Sequence, residues 1–114
     1  MLSYQSVVEA IEVETDRLEA LVEGLALAYD ADAEAEIAFK SRRAAVRIQE
    51  RAIATERLPA DHFEDLALAK TEQEYAAHLR ARAHLQTLRE ARGISESRLD
   101  GLRTLSAGFR AAGG

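Results

Sequence analysis

The sequence contains no cysteine and no tryptophan, a single proline, and only three tyrosines and three phenylalanines in 114 residues. Without cysteine there is no disulfide framework, no thiol redox chemistry and no thiolate zinc site. No apolar run approaches the ~18 residues of a membrane span. The opening Met1-Leu2-Ser3-Tyr4-Gln5 has neither the charged nor the greasy region of a secretion signal. A cytoplasmic protein without a membrane partner is therefore expected. The scarcity of bulky residues has a second consequence. Hydrophobic residues make up 47% of the chain, but alanine supplies much of that share and buries little area. A thin core predicts that copies of the chain associate.

Ala, Leu, Glu and Arg dominate, and these are strong helix formers. An all-α single domain over residues 1–114 is expected. Val8, Ile11, Thr15, Leu18, Val22, Leu25 and Tyr29, with Leu21 beside them, recur at spacings of three and four behind a Ser3 cap. That pattern predicts a first helix over about 3–29, with Gly24 either a close-approach point or a weak point. Residues 30–36 alternate Ala with Asp and Glu and contain no Gly or Pro, so Asp30 or Asp32 caps a fresh helix over about 32–57 or the first helix continues unbroken. Pro59 removes an amide donor and disfavours helix in the residue before it. Asp61 and Glu64 then form a capping-box-like pair that starts a helix over about 61–92. Gly93 is expected to end it, with Ile94 in the hydrophobic position of a Schellman ending. Ser95 or Ser97 would cap a short last helix over about 96–110, carrying Leu99, Leu102, Leu105 and Phe109. The resulting architecture is a long antiparallel helical hairpin folded at Pro59, with an acidic N-terminal helix or helical extension and an apolar C-terminal helix that asks for a partner.

Charge is unevenly distributed. Residues 1–36 hold ten acids against Arg17 alone, a net of −9, whereas residues 37–60 hold six cations against Glu50 and Glu56, a net of +4. Lys40, Arg43, Arg47 and Arg51 are spaced by three, four and four and are expected to share one helical face opposite much of the apolar stripe; a second line on the opposite arm runs through His78, Arg82, Gln86 and Arg89. A cationic ridge can neutralise phosphates along a strand with release of counterions. The plainer reading is a solvated face paired with acids such as Glu50 or with the acidic helix. Base stacking is sparsely provided for, with Tyr75 the leading candidate and Phe39, Phe63 and Phe109 read as packing residues.

Catalytic constellations are weak. His78 and His84 are six apart and fall on different helix faces, and the Glu-x-x-His repeat of a carboxylate-bridged di-metal bundle is absent. There is no Gly-rich phosphate loop and no nucleophile motif. The expectation is a non-enzymatic protein with no metal and no cofactor.

From about Glu34 onward the layout resembles the recombination mediators of tailed bacteriophages, small helical proteins that help to load a recombinase onto single-stranded DNA. The matching stretches are the acidic Ala-rich lead-in to Phe39-Lys40, the basic helix Arg42-Arg43-Ala44-Ala45-Val46-Arg47, then Lys70-Thr71-Glu72, and a closing segment from Gly93-Ile94 through Leu102-Arg103 to Phe109-Arg110. The end of the chain is also similar to short helical proteins of actinobacterial phages that carry Leu-Arg-Thr-Leu-Ser-Ala stretches. The resemblance covers about two-thirds of the chain and implies a protomer that assembles into a ring and binds single-stranded DNA, in contact with a recombinase or a single-strand-binding protein, in the host cytoplasm. It implies DNA backbone contacts at Lys40, Arg42, Arg43 and Arg47, to which the charge pattern adds Arg51, Arg82 and Arg89. Assembly would fall to Leu99, Leu102, Leu105 and Phe109. The acidic first helix, and Arg where Lys is usual, depart from the family pattern. The alternative is a phage structural or adaptor protein that oligomerises through its helices and binds a protein.

Overall fold

A computed structural model describes residues 2–113. Three helices make up the fold, α1 (Tyr4–Ile53), α2 (Ala60–Lys70) and α3 (Glu72–Gly113), with no strand among the described residues. The protein is all-α, as its composition predicts.

Ser3 starts α1. The Ser6 amide donates to Ser3 Oγ at 3.1 Å and the Ser3 amide donates to Ser6 Oγ at 3.0 Å, a reciprocal cap that satisfies two otherwise free donors. The helix then passes through residues 30–36 without a break. Asp32 does not cap a new helix there; it is buried and accepts a 3.0 Å bond from Arg82 Nε. α1 stops at Ile53, four residues before the expected Arg57, and residues 54–59 form a loop that enters α2 from an extended Pro59 (φ −61°, ψ 151°). The expected Asp61/Glu64 capping box does not form. Pro59 is the capping residue, with no side-chain bond, and Glu64 pairs with Arg47 of α1 instead.

Two further boundaries differ from expectation. The helix expected over 61–92 is divided at Thr71, whose backbone leaves helical geometry (φ −120°, ψ 25°). Its hydroxyl donates to the Ala67 carbonyl at 2.6 Å and its amide to the Leu68 carbonyl at 3.2 Å, closing α2, while its own carbonyl accepts from Tyr75 at 2.9 Å and opens α3. Threonine competes for backbone groups in this way whenever burial holds its side chain in place. Glu72 and Glu74 then lie in the first turn of α3, where its dipole favours acids. Conversely, Gly93 ends nothing. α3 continues through it, so the short helix expected over 96–110 is the last part of a 42-residue helix. Ile94 is exposed rather than folded back, and an Arg92–Glu96 pair at 2.9 Å bridges the glycine. The roughly 1 kcal/mol cost of glycine in a helix is offset by packing on either side of it.

The chain groups into two compact units. The first joins the stretch up to Leu27 with the stretch from Gln86 onward; the second is Ala28–Leu85. In the first unit, α1 and α3 run antiparallel. Tyr4 meets Phe109 edge-on at 6.4 Å, Ser95 Oγ donates to Glu14 Oε1 at 2.8 Å, and Gly24 lies beside Leu88 with room for a methyl at ordinary contact distance. That approach does not require glycine. The buried seam comprises Val7, Glu14 and Leu25 of α1 with Ser95, Leu99 and Ser106 of α3. At Val7 and Glu14 it is offset by one residue from the stripe of large apolar residues, which it meets at Leu25, so Val22 (48% exposed) is left outside while Glu14 is inside. In the second unit Phe39 and Val46 of α1, Phe63 and Ala67 of α2, and Thr71 and Leu85 are buried together with Ala28 and Asp32.

Ser95→Ala removes a donor from the buried Glu14 carboxylate and is expected to cost about 1–3 kcal/mol, read as a lower urea midpoint. Gly93→Ala is expected to add about 0.5–1 kcal/mol of stability and so raise that midpoint, since nothing lies within 4 Å of the added methyl. A loss of stability in Gly93→Ala would indicate a helix end at that position.

Candidate nucleic-acid interface

Six of the seven sequence-predicted DNA contacts lie in the second unit, and Arg89 lies in the first. At 100° per residue, Lys40, Arg43, Arg47 and Arg51 fall within one flank of α1, adjacent to the Phe39–Val46 seam, while Arg42 falls on the other side of that seam. The flank is therefore not opposite the apolar stripe. It borders the groove in which α2 packs, and this decides what each cation does.

Lys40 pairs with Glu36 at 2.8 Å, one turn back on α1. The Arg43 guanidinium lies over the Phe39 ring, 5.0 Å from its centroid, and the Arg51 guanidinium lies over the Phe63 ring at 5.5 Å. Between them Arg47 donates to Glu64 of α2, and a second cross-link joins Lys70 of α2 to Glu50 of α1. On α3, Arg82 reaches Asp32 at 3.0 Å and Glu36 at 3.7 Å. Arg42 is exposed and meets no carboxylate among the described residues. Two kinds of cation result. Lys40, Arg47 and Arg82 are each neutralised by an acid, whereas Arg42, Arg43 and Arg51 are not. A ring holds a guanidinium by its electrostatic face without cancelling its charge, so Arg43 and Arg51 keep donors for an anion.

The pairs shift the acids. The hydrogen bond from Lys40 and its charge hold the Glu36 carboxyl below the usual glutamate value, with Arg82 adding to the effect. The hydrogen bond from Arg47 does the same for Glu64, with smaller help from the charges of Arg47, Arg43 and Arg51. Arg82 is pushed further up by its bond to Asp32. Of the acids expected to meet the basic residues, Glu50 takes Lys70 of α2 instead of a ridge cation, while Asp32 and Glu36 of the acidic stretch take Arg82 and Lys40. Glu64, the partner of Arg47, carried no signal in its spacing, whereas Glu36 lies one turn before Lys40.

Near Phe39 the structure gathers aromatic groups. Tyr75 lies 5.1 Å away, tilted by 48°, and His78 stacks at 6.0 Å with an interplanar angle of 9°. The His78 Nδ1 is buried with no hydrogen-bond partner among the described residues. No three His, Asp or Glu side chains gather as a metal site among those residues, and no helix there is long and apolar enough to cross a membrane.

The four residues assigned to assembly divide in the first unit. Leu99 is only 4% exposed and belongs to that unit's own core. Leu102 and Phe109 are half-buried, with Phe109 against Tyr4, and Leu105 is exposed. Of the four, Leu105 is the residue that presents a large apolar side chain outward, next to Val13 and Gly101 in a shallow groove between α1 and α3. No protein-family model, curated protein or solved structure matches the chain.

The lowered carboxyls of Glu36 and Glu64 set a pH dependence for the second unit. A carboxyl whose folded pKa lies below its unfolded value contributes stability that is present above the unfolded value and lost as pH falls through the folded one. Melting temperature is therefore expected to be flat from neutrality down to the ordinary glutamate value of 4.5 and to fall below it. In the double variant Glu36→Gln, Glu64→Gln that acid limb should be shallower; an unchanged limb would show that these pairs are inconsequential.

Proposed function

We propose that the chain is a non-enzymatic, self-associating helical protein that holds single-stranded DNA on the basic flank of α1 and acts as a phage-type recombination mediator, assisting a recombinase to load in the cytoplasm. The observation that carries the DNA-binding reading is that Arg43 and Arg51 on that flank make no ion pair, while its other cations, Lys40 and Arg47, are paired with acids. Phosphates along a strand would meet those guanidiniums first. Lys40 forms a reserve, because its exposed pair with Glu36 is worth only about 0–1 kcal/mol and exchanges readily for a phosphate. Two such cations make a weak site in a single chain. Several copies in a ring, with or without a single-strand-binding protein beside them, would act on one strand at high effective concentration, so a homo-oligomer is part of the mechanism. The resemblance of Phe39–Arg47 and the closing segment to phage recombination mediators supports the biological role.

A second reading, a structural or adaptor protein that binds a protein partner, is favoured by the exposed apolar groove of the first unit, where Val13, Leu102 and Leu105 lie between Glu9 and Arg98. The two readings part on DNA. Fluorescence anisotropy with a labelled single-stranded oligonucleotide at low salt is expected to show binding whose logarithm falls linearly with the logarithm of salt concentration. Arg43→Ala with Arg51→Ala should lower that slope by about 0.7 for each phosphate that the variant no longer neutralises. Absence of binding at low salt refutes the mediator reading, and a monomeric mass by light scattering at micromolar concentration refutes the polyvalent mechanism.

A further inference from the structure

We propose that the groove at the junction of the three helices, between Arg43 of α1, Leu68 of α2 and Tyr75 of α3, is a subsite for one unstacked nucleobase, with a preference for bases that carry an exocyclic amino group. The inference rests on the single-stranded-DNA reading above and deepens it, because phosphate contacts alone would leave the protein indifferent to the bases.

The groove is built of the right surfaces. Phe39 forms a buried floor, Tyr75 stands beside it with 44% of its surface exposed, and Leu68 on the facing wall is equally exposed. A chain with six aromatic residues of the Phe and Tyr kinds places two of them here, together with the His78 ring. Phe39 is buried and His78 half-buried, so the most open face of the cluster belongs to Tyr75. Such a face accepts any planar π-system, and base–aromatic stacking supplies affinity without demanding a particular base.

The charges around it orient the guest. Arg43 lies over Phe39 and also borders the groove, so the same guanidinium serves the basic flank and the aromatic site. A nucleotide whose base lies on Tyr75 therefore places its phosphate toward Arg43, continuous with Arg47 and Arg51 along α1. Glu72, in the first turn of α3, lines the same groove. Its carboxylate repels phosphate, which keeps the backbone on the Arg43 side, and it accepts hydrogen bonds only. Cytosine N4 and adenine N6 are donors of the kind that a carboxylate accepts; thymine has no amino group, and its N3–H lies between two carbonyl oxygens that repel a carboxylate. Cytosine is thus favoured over thymine at this position.

The test compares three labelled strands of equal length at one low salt concentration: oligo-dC, oligo-dT and an abasic backbone. The full-length protein is expected to bind oligo-dC more tightly than oligo-dT, and either more tightly than the abasic strand. Tyr75→Ala should weaken oligo-dC binding on the order of ten-fold and leave the abasic strand unchanged, while Tyr75→Phe retains affinity. Glu72→Gln, an exposed substitution that does not disturb the core, should remove the preference for oligo-dC over oligo-dT. Equal affinity for all three strands, or an equal weakening on oligo-dC and abasic DNA in Tyr75→Ala, overturns the base site and leaves phosphate binding intact. Failure to bind any strand overturns both.

Discussion

The pairing of α1 with α3 through small and polar residues is the constraint on which the rest depends. Glu14 occupies a buried position where leucine would supply far more apolar area, and its carboxylate is retained there by Ser95 from α3 at 2.8 Å and by Arg17 from its own helix at 2.8 Å. In the second unit, Asp32 has the same situation with Arg82. Each such contact adds little net stability compared with a well-packed apolar pair, but it is costly to misplace, because a shift of the helices would strand a buried carboxylate without donors. Together with the buried apolar residues of each unit, these contacts favour one register within it.

The same geometry sorts the cations. α2 lies against the basic flank of α1, and Glu64 and Lys70 on α2 take Arg47 and Glu50 as partners. The aromatic residues that fill the second unit's core, Phe39 and Phe63, present ring faces beneath Arg43 and Arg51. Core packing and surface charge are therefore linked: the side chains that bury apolar area also hold guanidiniums in place without neutralising them. In the proposed DNA complex these pre-positioned cations would lose less ordering entropy than long flexible side chains otherwise do on binding, and the nearby acids, Glu36 and Glu72, would limit where a phosphate settles.

Much of the architecture was legible because it follows from local chemistry. Ser3 begins α1 through its hydroxyl, Pro59 marks the turn into α2, and the absence of Gly and Pro in residues 30–36 permits the helix to run through. Departures arise at residues whose local preference is outweighed by packing. Gly93 has the weakest helix propensity short of proline, but Ser95 and Leu99 beyond it are buried against α1 in the first unit, and the helix is carried across. Thr71 carries no strong breaking signal, yet in a buried position its hydroxyl takes the Ala67 carbonyl and divides the helix. The Asp61/Glu64 pair has the spacing of a capping box, and Arg47 draws Glu64 away to a partner 17 residues distant in the chain. For the basic ridge, spacing places four cations on one flank but is silent about which acids or rings from α2 and α3 meet them.

The sequence by itself determined that the protein is helical and that acidic and basic segments lie side by side along it. Backbone propensity and charge are properties of residues and their near neighbours, so a linear reading captures them. Tertiary structure alone decided that the buried seam runs through Glu14 rather than Val22, that Leu99 faces its own chain, and that Arg43 and Arg51 stay uncompensated while Arg47 and Arg82 are paired. Those outcomes depend on which side chains meet across helices, and contacts between residues tens of positions apart are selected by packing and by the cost of unsatisfied buried polar groups.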